Sequence, residues 1–116
     1  MNEIKELTEK MKKFRDERDW LQFHNHKDMA ISLALEAAEV LEHFQWKTPE
    51  EVEAHAKSCK DEISEELADV ACYLFELADN LQIDLPRAIE RKLEINAKKY
   101  PIDKAKGSIK KYTEYE

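Results

Sequence analysis

The sequence predicts an all-α protein, and three observations carry the prediction. One Gly and three Pro occur in 116 residues, so the turn-rich composition of a strand protein is missing. Apolar residues recur at intervals of three and four, the period of one helix face. Two segments, Thr48-Pro49-Glu50-Glu51 and Asp84-Leu85-Pro86, spell a helix start, with a capping side chain followed by an early proline.

Taken in order, Ile4, Leu7, Met11 and Phe14 place an amphipathic helix over 3–18. RDWLQFHNHKD (18–28) breaks that rhythm and reads as a loop holding two aromatics and two histidines. Asp28 is the expected cap of a second helix running to about Trp46. Thr48 and Glu51 make a capping box for a short polar helix to about Lys57. Ser58 or Lys60 opens a third main helix through VACYLFELA, ending near Leu81. The last helix, 86–99, carries Ile89, Leu93 and Ala97 on one face and stops at Tyr100-Pro101. Four main helices and one short one suit a single domain over 1–100, four-helix-bundle-like and most simply antiparallel. Residues 101–116, with the sole Gly, form a tail, extended or partly ordered, available to pack on an oligomer.

Charged residues make up 39% and apolar residues 42%. The mean hydropathy of −0.76 is low for a small domain with a large private core, so completion by homo-oligomerisation is expected. Val70, Leu74 and Leu77 are the residues expected to meet another chain. The net charge of −7 argues against nucleic acid as a partner, which would call for a basic stripe. Cys59 and Cys72 are not in a CxxC arrangement and suggest neither a disulfide framework nor a zinc site. Cys72, in an apolar run, reads as a small core residue. With no signal peptide and no apolar run of membrane length, a cytoplasmic protein without a membrane partner is expected.

Two apolar runs contain carboxylates that an ordinary buried helix would not tolerate. LALEAAEVLEHFQW (33–46) holds Glu36 and Glu39, and EELADVACYLFELA (65–78) is entered by Glu66 and Asp69. In each pair the spacing of three puts both groups on one helix face. An isolated buried carboxylate is strongly unfavourable, and four together cannot stay ionised without a counter-charge. A divalent cation supplies it, and all-oxygen ligation favours Mg²⁺ or Mn²⁺ over zinc. A di-iron carboxylate bundle would need two Glu-x-x-His pairs, and no histidine here has Glu three residues before it. By contrast, Glu3, Glu6, Glu9, Glu50, Glu51 and Glu53 read as solvated faces.

ExxE on one helix and ExxD on another resembles the MazG-like, all-α nucleoside triphosphate pyrophosphohydrolases. The resemblance extends through RDWLQFH (18–24), FQWK (44–47), EELADVACYL (65–74), DLPRAIERKLEINAKKYP (84–101) and KGSIKKYT (106–113), which look like the family's dCTP pyrophosphatase branch. It implies a MazG fold, a Mg²⁺ requirement, a homodimer or homotetramer, and cleavage of a (d)NTP between its α and β phosphates, serving to clean the nucleotide pool. The implied metal ligands are Glu36, Glu39, Glu66 and Asp69, with Glu36 or Glu39 orienting the attacking water as general base. Trp20 and Trp46 are implied to wall the base. His24, matching QFH, ranks above His26 as a substrate contact. Tyr73, one turn after Asp69, and Asn96 are placed at the nucleotide, and Lys92 offers a charge to the phosphates. Lys47, Lys99 and Lys111 with Tyr112 are weaker candidates. Two departures are visible: LEAAE (35–39) stands where the branch has GEVGE, and Lys99-Tyr100-Pro101 where Arg-Tyr-Pro is usual. His43, one turn beyond Glu39, reads as a surface residue, with support of the carboxylates as its alternative.

A reading from another class is a non-catalytic helical interaction protein whose acids form inter-subunit salt bridges. Glu36 and Glu39 have no Lys or Arg within a turn, which speaks against it.

Overall fold

A computed structural model describes residues 2–115, so the first residue of the expected domain and the last of the expected tail lie outside it. Asn2 caps α1 (Glu3–Glu17), its side chain accepting from the Lys5 N–H at 2.7 Å. The chain then reverses through Asp19 at φ 55° and a 3-10 turn, Leu21–Phe23. Asn25, not Asp28, caps α2 (His26–Glu42). The Asn25 Oδ1 accepts from the Asp28 N–H at 2.9 Å, so Asp28 sits inside the first turn, where its charge favours the helix dipole.

The second helix also stops sooner than expected. His43 to Trp46 form hydrogen-bonded turns, with the N–H groups of Phe44 and Gln45 both donating to the Leu41 carbonyl. Trp46 then takes a left-handed φ of 64°, which an α-helix does not accommodate. The Thr48 capping box is present as expected and starts α3 (Pro49–Ser58). Next comes α4 (Lys60–Asn80), the long helix against which α2, α1 and α3 all pack. Its contact with α2 is the most extensive, and it is this contact that brings the two carboxylate pairs face to face.

One compact unit runs to Ile83 and a second begins at Asp84. In the second, Asp84 caps α5 (Leu85–Lys99), with Pro86 in its first turn. The tail is partly ordered: α6 (Ile102–Ala105), then Gly107 at φ 76°, then a 3-10 turn at Tyr112–Glu114. Tyr112 and Tyr115 each meet the Tyr100 ring edge-on, at 5.8 and 6.0 Å.

No strand occurs among the described residues, and no helix is long and apolar enough to cross a membrane. The private core is small. Among the described apolar side chains, only Met29 and Ala78 are buried, while Leu35, Leu41 and Leu67 are more than half exposed.

Candidate active site

Because α2 and α4 pack together, Glu36, Glu39, Glu66 and Asp69 share one neighbourhood. The Glu36 carboxyl is pushed above its ordinary range, first by burial, then by Glu39 beside it and by repulsion from Asp69 and Glu66. Glu36 Oε2 and Glu66 Oε2 are buried with no hydrogen-bond partner. No three His, Cys, Asp or Glu side chains among the described residues gather closely enough to hold an ion.

Glu66 instead turns toward His43, whose Nε2 lies 2.6 Å from Glu66 Oε2, too poorly aligned to count as a hydrogen bond. On its other side His43 Nδ1 lies 2.8 Å from Nε2 of His55 on α3. His43 is therefore not a surface residue: its side chain is 15% exposed and holds the rear of the carboxylate group.

Beside the carboxylates opens a cavity of about 500 Å³. Leu7, Met11, Phe14, Trp20 and Tyr73 give it apolar and aromatic walls, and Asp69 reaches it from the carboxylate cluster. Trp20 stands edge-on to Phe14, with centroids 5.8 Å apart. Cys72 lines this cavity rather than a core, and burial, then Asp69 and Glu76, push its thiol up. Both cysteines are free.

Of the residues singled out in the sequence, Trp20, His24, Asp69 and Tyr73 come together here. Trp46 does not line the cavity; it is 92% exposed. Lys47 lies just before α3 and does not line the cavity. Lys92 and Asn96 belong to the second unit, one turn apart on α5, where Lys92 joins Arg87 and Arg91 around a shallow depression.

Sequence reasoning missed Arg15 and Glu76, buried charged residues that also line the cavity. A signal for Glu76 existed. It interrupts FELA seven residues after Asp69, two turns along the same face.

The MazG-like family matches the chain over residues 31–115, and the chain belongs to that family. It is 42% identical over 103 residues to dCTP pyrophosphatase 1 of Homo sapiens and 41% to that of Rattus norvegicus, covering 87% of this chain in both cases. The chain spans 61% of the length of these relatives. A crystallised pyrophosphatase from Archaeoglobus fulgidus superimposes with a TM-score of 0.82 at 40% identity, covering 87% of this chain and 94% of that one.

Proposed function

We propose that the chain hydrolyses (deoxy)nucleoside triphosphates to a monophosphate and pyrophosphate, with dCTP or a related dNTP preferred, and so clears such nucleotides from the cytoplasmic pool. One observation carries the reading. Asp69 belongs both to the carboxylate cluster and to the lining of the aromatic cavity. A base in the cavity would therefore have its phosphates within reach of the carboxylates. The dCTP pyrophosphatase relatives support the substrate class.

The residues present fit a hard divalent cation. They offer four carboxylates, and two of the oxygens are buried without a hydrogen bond. Glu36, Glu39, Glu66 and Asp69 would hold Mg²⁺, with Mn²⁺ as a substitute. Bound there, the ion would offset the charge of the triphosphate and make a nearby water easier to deprotonate. Glu36 or Glu39 takes the proton from the attacking water as its oxygen reaches the α phosphorus. Trp20 and Tyr73 present ring faces that hold a base by stacking. The exposed apolar faces of α2 and α4 support a homodimer or homotetramer as the working form.

Purified protein with Mg²⁺ and each common (d)NTP, with pyrophosphate and orthophosphate detected separately, tests the reading. Pyrophosphate plus monophosphate, lost in Glu39→Gln, is the expected result; orthophosphate alone means that a different bond is cut. Melting with and without Mg²⁺ separates the interaction-protein alternative, since binding to the native state alone raises stability with metal concentration.

A further inference from the structure

Arg15 on α1 and Glu76 on α4 are 5% and 6% exposed, and both line the aromatic cavity. Glu76 Oε1 accepts from Arg15 Nη1 at 3.1 Å and from His24 Nδ1 at 2.8 Å. Arg15 Nε donates to Asp16 Oδ1 at 2.8 Å. Glu76 Oε2 and Arg15 Nη2 have no hydrogen-bond partner among the described residues. A carboxylate only accepts, so the Nδ1 that His24 turns to Glu76 is the donor of that contact. A guanidinium and a carboxylate frequently close on each other through two parallel bonds. Here the pair is joined by one, and each keeps unused capacity in a chamber walled largely by apolar and aromatic side chains, with Lys10, His24 and Asp69 as its other polar residues.

We infer that Arg15 and Glu76 read the Watson–Crick edge of the substrate's base and select an amino-bearing pyrimidine of the cytosine type over a keto one. The inference rests on the pyrophosphohydrolase reading above. Glu76 Oε2 accepts from the exocyclic amino group, and the free Arg15 N–H groups donate to the adjacent ring nitrogen and the keto oxygen beyond it. Uracil offers the reverse polarity, a keto oxygen toward the carboxylate and a ring N–H toward the guanidinium, and both contacts repel. Adenine matches the amino group and ring nitrogen but lacks the second acceptor. A site whose buried polar groups are left unpaired by the wrong ligand discriminates far more sharply than an apolar wall.

The test compares wild type with Glu76→Gln and with the double variant Arg15→Met/Glu76→Leu, which removes both charges together so that neither is stranded. The readouts are kcat/KM for dCTP and dUTP by pyrophosphate release, and Kd for dCMP and dUMP by calorimetry, on variants shown to be folded by circular dichroism. The dCTP-to-dUTP ratio should fall by at least about tenfold in each variant. Glu76→Gln should gain on dUTP, because its amide can donate to the keto oxygen. Unchanged ratios in folded variants would overturn the inference and leave the pair a structural one. A third arm needs no variant: wild type should bind the deoxyribonucleoside monophosphate of 2-pyrimidinone, which lacks the amino group, at least about tenfold more weakly than dCMP. Equal binding overturns the inference. If wild type releases pyrophosphate from no nucleotide, the hydrolase reading fails, while the two binding arms still decide whether this pair reads the base.

Discussion

Glu36 and Glu66 each carry a buried carboxylate oxygen without a hydrogen bond, that of Glu66 lying against the His43 ring, and the two lie on helices that pack together. Replacing Glu36 with Gln keeps the shape and removes one of four mutually repelling charges. The variant should lose the Mg²⁺-dependent rise in melting temperature, and pyrophosphate release should fall by at least about 100-fold. His43→Ala should leave the fold intact and weaken Mg²⁺ binding by about tenfold, because the imidazole is what holds Glu66 from behind. Titrating the melting temperature against metal concentration measures this. Cys72 gives a pH test. Its thiol is pushed up, so the reactive thiolate appears only above the usual thiol range, and alkylation by iodoacetamide should be slow at pH 8 and accelerate beyond it. The four carboxylates were legible in the sequence because each interrupts an apolar stripe. Arg15 was not: it stands in KKFRDER, where nothing local separates a buried arginine from its solvated neighbours. The meeting of His43 with His55 likewise depends on how α3 sits against the end of α2.

Helix starts were more legible than helix ends. Thr48 and Asp84 cap where their residue types and the following prolines indicate, and the Thr48 backbone N–H holds the Glu51 carboxylate below its ordinary range. Thr48→Ala should cost about 1 kcal/mol of unfolding free energy, read from denaturant melts. Before α2, Asn25 and Asp28 are both good caps three residues apart, and Asn25 prevails because Asp28 can then donate its N–H to it. The end of α2 carried no signal at all, since the residue that takes the left-handed backbone is a tryptophan rather than a glycine. A non-glycine residue there is strained by about 1 kcal/mol, and the Trp46 indole is 92% exposed. Trp46→Gly should therefore match or exceed wild type in melting temperature, as differential scanning calorimetry would record.

Among the described residues, Leu35, Leu41, Leu67 and many other large apolar side chains stay exposed, surface that a second copy of the chain would cover. Light scattering should give a mass above 13.7 kDa, and Leu35→Glu, placed on an exposed apolar face of α2, should shift it toward the monomer. The cavity also has a consequence for descent. Asp69 is shared by the carboxylate cluster and the chamber, whereas Arg15 and Glu76 line the chamber without joining the cluster. Under the proposed roles, hydrolysis and choice of nucleotide rest on largely separate residues. With those roles, a lineage, or a library randomised at those two positions, would change its nucleotide diet by drift while the carboxylate cluster stays as it is.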